Sequence, residues 1–118
     1  GVVRWVDDES LLHVATALSG SGPAYFFLFM EAMIDEARRM GLDGETARTL
    51  CARTCHGAGE MLARGEADAA ELRRRVTSPG GTTERAIAAL REAGLEDTLR
   101  RAMQAAVQRS QELARELA

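Results

Sequence analysis

The sequence predicts an all-α fold of about six helices, and three observations predict it. Ala, Leu, Glu and Arg dominate the 118 residues, and these are among the strongest helix formers. Apolar residues recur at spacings of three and four along most of the chain, the period of one helical face. Most glycines and both prolines stand at the ends of those runs, where helices stop and start. With 46% hydrophobic and 28% charged residues, one domain of this length can bury a core without a disulfide or metal staple. The 15 basic and 18 acidic residues alternate, giving a net charge of −3, so no nucleic-acid surface is expected. No signal peptide or apolar run of bilayer length is visible. With only Cys51 and Cys55 as thiols, a cytoplasmic protein that does not enter a membrane is expected. The first residue is Gly1, and residues 1–8 read as an extended lead-in, so the chain is expected to be an excerpt of a longer polypeptide.

The first helix is expected over residues 8–18, with Asp8 as cap and Leu11, Leu12, Ala15 and Leu18 on one face. Ser19-Gly20-Ser21-Gly22 should end it. Pro23 suits the first turn of a second helix, which runs through residues 24–40 to a stop at Gly41. Its first half, from Ala24 to Met30, is apolar on every side, and a helix without a polar face must be surrounded by other protein. Asp43 caps a third helix ending near Arg64 and Gly65, with Ala47, Leu50, Cys51, Thr54, Ala58, Met61 and Leu62 as its apolar stripe. Gly57 and Gly59 interrupt it, and a close helix–helix approach would compensate their cost of about 1 kcal/mol each. Asp68 and Glu71 form a capping-box pair for a short fourth helix ending near Val76. A fifth spans residues 84–93 and stops at Gly94; the last begins near Glu96.

In that last helix Leu99, Met103, Ala106, Ser110, Leu113 and Leu117 form a heptad-like seam. Such a seam packs either inside its own domain or against another subunit. The apolar second helix favours the latter, because so few residues leave little to cover it.

Between the fourth and fifth helices lies Thr77-Ser78-Pro79-Gly80-Gly81-Thr82-Thr83. Pro79 stiffens the chain, Gly80 and Gly81 permit positive φ and close backbone approach, and Thr82 and Thr83 open a helix. Free amides at a helix start, with the positive end of the helix dipole, suit a carboxylate or phosphate. The same residues are also an ordinary turn with an N-cap, and the residues alone leave both readings open.

Beyond these residues, the sequence resembles the C-terminal domain of pyrroline-5-carboxylate reductases. The likeness is carried by Thr16-Ala17-Leu18-Ser19-Gly20-Ser21-Gly22-Pro23-Ala24-Tyr25, by Gly41-Leu42, by Leu72-Arg73, by Val76 through Thr83, and by Ala86-Ile87. Ala105-Ala106 and Arg109-Ser110 to Leu113 extend it, so that it covers essentially residues 1–118. The resemblance implies a helical domain like the C-terminal domain of 6-phosphogluconate dehydrogenase, forming an intertwined homodimer that sometimes assembles further. It also implies the reduction of 1-pyrroline-5-carboxylate to L-proline with NADPH or NADH in proline biosynthesis. The matching loop would hold the substrate carboxylate on the amides of Gly80, Gly81, Thr82 and Thr83, with Ser78 lining the pocket. Thr83 would be the catalytic residue, its hydroxyl against the ring nitrogen. The dinucleotide would bind an N-terminal Rossmann domain that this chain lacks: Gly57-Ala58-Gly59 is followed by Leu62 and lies in a helix, so it is no fingerprint. The chain departs from the family at Gly59, at Arg53, and at residues 66–70, which lack a common proline; these positions concern packing. The alternative reading is a non-catalytic helical dimerisation or small-anion-binding module.

Cys51 and Cys55, one turn apart beside His56, with His13 remote, make a zinc site conceivable. Buried free thiols are the commoner outcome and a fourth ligand has no source, so no metal is expected. The methionines at 30, 33, 40, 61 and 103 read as core filler, and Tyr25 as a buried ring with one hydroxyl bond.

Overall fold

The computed structural model describes residues 4–5 and 8–118, so most of the expected lead-in lies outside the described residues. Among them six α-helices follow in order, with one π-helical turn and no strand. Helix α1 (Glu9–Ala15) starts where Asp8, in extended backbone, accepts a 2.9 Å hydrogen bond from the Ser10 amide. The helical run stops within the expected residues 19–22, but its last turn widens from α to π over Thr16–Gly20, closed by the Ser21 amide on the Thr16 carbonyl at 2.8 Å. Hydroxyl competition accompanies the change. Thr16 and Ser19 donate back to the Leu12 and Ala15 carbonyls at 2.8 and 2.9 Å, an alternative to the helical ladder that bends helices. The Tyr25 hydroxyl donates to the Ala17 carbonyl at 2.8 Å, the single bond expected of that side chain.

Helix α2 (Gly22–Arg39) carries Pro23 in its first turn and ends in a Schellman motif. There the Leu42 amide reaches the Ala37 carbonyl and the Gly41 amide that of Arg38, both at 3.0 Å, with Gly41 at φ +110°. Helix α3 (Gly44–Ala63) is capped by Asp43, which accepts from the Thr46 amide at 2.9 Å. It runs unbroken through Gly57 and Gly59. Helix α4 (Ala69–Arg75) is capped by Asp68 through the Glu71 amide at 2.8 Å. The reciprocal arm of a capping box is missing, because the Glu71 carboxylate turns to Arg74 at 2.7 Å and Arg75 at 3.4 Å. Helices α5 (Thr82–Glu92) and α6 (Leu95–Leu117) are separated by Gly94 at φ +90°.

The chain divides into two compact units, Gly1–Phe26 with Gly94–Ala118, and Phe27–Ala93. In the first, α6 packs on the π turn and on α1. His13 Nδ1 and Ser110 Oγ, 2.7 Å apart, join α1 to α6, and Ala17 is fully buried. The α6 seam is therefore used inside its own unit around Met103, Ala106 and Ser110, which are half-buried. Leu99, Leu113 and Leu117 remain exposed. In the second unit α3 packs on α4, and the Cys51 thiol faces the Met30 carbonyl at 3.8 Å.

The core is unusually small. Among the described residues only Ala17, Ala47 and Cys51 are buried apolar residues, and no large side chain is fully covered. Phe26, Phe27, Leu28 and Phe29 on α2 are exposed, Phe27 by 68% and Leu28 by 67%. The expectation that the methionines fill a core is corrected for Met33, Met40 and Met61, which are exposed. Among the described residues the compensating approach expected at Gly57 and Gly59 is also not made, since nothing lies within 4 Å of a Cβ built at either. Both corrections share a cause: an apolar surface counts as core only when something covers it, and the described residues do not cover these faces. Among the described residues no helix is long and apolar enough to cross a membrane.

Candidate functional site

The loop between α4 and α5 is built by local rules. At the end of α4, the Val76 and Thr77 amides close back on the Arg73 and Arg74 carbonyls at 3.2 Å, and the Thr77 hydroxyl donates to the Arg73 carbonyl. The chain then reverses through Ser78-Pro79-Gly80-Gly81, where the Gly81 amide donates to the Ser78 carbonyl at 3.0 Å. Gly80 has φ +74°. Proline at the second place and a positive-φ glycine at the third define a type II turn. Gly81 is then the N-cap of α5, in extended backbone with no side chain to cap it.

The five residues singled out from the sequence, Ser78, Gly80, Gly81, Thr82 and Thr83, thus lie on one continuous turn, but their amides are not equivalent. The Gly81 amide is taken by Ser78, and the Gly80 amide donates to Glu84 Oε1 at 3.2 Å. Among the described residues, the Thr82 and Thr83 amides and hydroxyls have no protein partner. They occupy the first turn of α5, where amides lack intrahelical acceptors and the helix dipole favours negative charge. Thr83 and Gly81 are half-buried, whereas Ser78, Gly80 and Thr82 are exposed. Chemically the turn can present hydrogen-bond donors to an anion. Glu84 is the member that the sequence reading missed. The available signal was an acid at the third helical position, which often reaches back over the helix start.

Elsewhere in the same unit, α2 and α3 border an open apolar groove of about 510 Å³, whose walls include Met30, Cys55, His56, Gly59 and Ala63. None of the turn residues lines it. Cys51 and Cys55 are free thiols, the first buried and the second half-buried, and His56 lies 3.9 Å from Glu60. Among the described residues no group of three or more His, Cys, Asp or Glu side chains comes together to hold a metal.

These features define a class: an all-helical domain with uncovered apolar helices and a Pro-Gly-Gly-Thr turn feeding a helix start. Residues 9–113 match the family described as pyrroline-5-carboxylate reductase dimerisation, and the chain belongs to that family. It is 51% identical over 117 residues to a pyrroline-5-carboxylate reductase of Pseudomonas aeruginosa, covering 99% of this chain and 43% of that protein. It is 39% identical over 111 residues to pyrroline-5-carboxylate reductase 2 of Bacillus subtilis, covering 94% and 40%. A solved pyrroline-5-carboxylate reductase of Coxiella burnetii superposes with a TM-score of 0.92 at 47% identity, covering 96% of this chain and 42% of that one. The Plasmodium falciparum pyrroline carboxylate reductase, solved with NADP bound, gives a TM-score of 0.86 at 33% identity, covering 93% and 42%. The chain therefore spans about two fifths of the length of these relatives.

Proposed function

We propose that this chain is the dimerisation and substrate-holding part of a pyrroline-5-carboxylate reductase, acting with a nucleotide-binding domain in the reduction of 1-pyrroline-5-carboxylate to L-proline. The observation that carries the reading is the type II turn that delivers the partnerless Thr82 and Thr83 amides at the start of α5. A substrate bearing one carboxylate on a small ring matches that donor set. In this reading the hydroxyl of Thr83, which is half-buried and one residue into the helix, would hydrogen-bond the ring nitrogen as the imine becomes an amine. The Ser78 side chain borders the same turn. NADPH or NADH supplies the hydride when bound. In this reading the dinucleotide is held mainly by the nucleotide-binding domain, since Gly57 and Gly59 lie inside α3 and not in a strand-to-helix turn. The contribution of this chain's residues is to fix the carboxylate and orient the ring, which is the protein's share of a cofactor reaction.

The partner in the proposal is a second copy of the chain. Exposed Phe26, Phe27, Leu28 and Phe29 on α2, the exposed ends of the α6 seam, and the groove walled by Gly59 are all surfaces a second helical chain would cover. A soluble, cytoplasmic assembly follows from this reading.

The test is a chimera in which this chain replaces the matching segment of the Pseudomonas aeruginosa relative. It should oxidise NADPH with pyrroline-5-carboxylate, and Thr83→Ala should lower kcat by about 100-fold, the usual scale for one lost donor at a reacting centre. A chimera that is folded, dimeric and able to bind NADPH yet turns over no substrate would sink the reading. Full activity of Thr83→Ala would remove the role given to that hydroxyl.

A further inference from the structure

We infer that Glu84 is a built-in competitor for the substrate carboxylate: its side chain occupies the Gly80 amide of the turn and must leave that donor when a carboxylate ligand arrives. The inference rests on the proposed reading of the turn and concerns its regulation. Three observations support it. Gly80 donates to Glu84 Oε1 at 3.2 Å, although Gly80 and Glu84 are both exposed and the amide has water available to it. The φ of +74° at Gly80 fixes the peptide plane of the turn. Glu84 stands third in α5, two and one residues beyond the partnerless Thr82 and Thr83 amides, so its charge lies beside the donors an incoming carboxylate would use. Among the described residues no arginine is paired with the Glu84 carboxylate, which is left to interact with the turn.

Two effects act in the same direction. A ligand carboxylate has to displace an existing charge-assisted hydrogen bond, and while Glu84 stays close it also meets like charge. Glu84 thereby lowers affinity for carboxylate ligands, substrate and product alike, and helps a carboxylate-bearing product to leave. The same hydrogen bond braces the turn when no ligand is present, as an acid at the third helical position commonly does. A purely bracing role and a competing role make different predictions. Both say that removing the charge lowers the melting temperature; only the second says that it tightens carboxylate binding.

The experiment titrates L-proline into the 118-residue chain, following the amide resonances of Gly80, Thr82 and Thr83 by 15N–1H NMR, and repeats it with Glu84→Gln and Glu84→Ala. Pyrrolidine, which lacks the carboxylate, is the control ligand. KM and kcat for pyrroline-5-carboxylate are measured on the same variants of the chimera. Expected is about fivefold tighter proline binding in Glu84→Gln, the scale of one charge-assisted hydrogen bond exchanged against another. KM should fall in parallel. Pyrrolidine should bind all forms alike. Proline shifts at Thr82 and Thr83 with equal affinity in all forms would overturn the role of Glu84 while leaving the turn as the carboxylate site. Turn amides that ignore proline in every form would overturn the reading of the site and the competitor with it.

Discussion

Gly80 and Gly81 are both glycines for structural reasons, but the reasons differ. At Gly80 the backbone is left-handed, φ +74°, and a Cβ would meet nothing within 4 Å, so the cost of a side chain there is conformational. At Gly81 the backbone is ordinary, φ −89°, but a Cβ would sit 3.1 Å from the Ser78 carbonyl oxygen that its own amide must reach. Gly80→Ala should therefore cost about 1 kcal/mol, Gly80→Asn less and Gly80→Val more, because asparagine tolerates the left-handed region and β-branched residues do not. Thermal melts of the three variants check that order; a harmless valine would contradict it. At Tyr25 the hydroxyl serves a carbonyl of the fully buried Ala17. Tyr25→Phe leaves that acceptor unpaired and should cost about 1–2 kcal/mol in a denaturant titration. A change below about 0.3 kcal/mol would mean that water replaces the hydroxyl without penalty.

At the scale of elements, three helices start on an aspartate, and two of those caps also carry acid sensitivity. The Asp43 carboxyl is held below its ordinary 3.8 by hydrogen bonding from the Thr46 side chain and then from the Thr46 amide. Asp8 is lowered by the Ser10 amide and then by its side chain. A carboxyl lowered in the folded state contributes stability that is fully present above its unfolded value and is lost as pH falls through the folded one. The melting temperature should thus be insensitive to these two caps above pH 5, roughly one unit over the unfolded value, and should fall with acid below 3.8. Asp43→Asn keeps a capping acceptor without the titration and should flatten part of that fall; an unchanged acid profile would show that Asp43 does not contribute. The single-armed cap of α4 allows a simpler check, since Asp68→Ala should cost about 1 kcal/mol while Glu71→Ala, whose pairs with Arg74 and Arg75 are exposed, should cost less.

For the whole molecule, the decisive feature is the mismatch between apolar content and cover. A chain with 46% hydrophobic residues buries only Ala17, Ala47 and Cys51 among its described apolar residues. Covering one large side chain contributes about 1.5–3 kcal/mol, so the exposed phenylalanines of α2 are the natural place for the association energy of the proposed dimer. Phe27→Asp should weaken self-association by at least about 100-fold, seen as monomer in sedimentation at micromolar concentration. A variant that stays dimeric with an unchanged melt would move the interface away from α2.

Residues in sequence determined by themselves where the helices lie, because capping, glycine stops and the three-to-four periodicity are interactions between near neighbours. Asp8, Asp43, Asp68, Gly41, Gly65 and Gly94 each stand at a helix end. The turn at Pro79-Gly80 was legible for the same reason. Tertiary structure alone decided which apolar faces find cover. That is why Met33, Met40 and Met61 are exposed, why Gly57 and Gly59 lack a close neighbour among the described residues, and why the α6 seam is half internal. Two local details went unread, the π turn at Thr16–Gly20 and the reach of Glu84 to the Gly80 amide, although an acid at the third helical position was a signal for the second. Cover is different in kind: it depends on atoms remote in sequence, about which a spacing pattern carries no information.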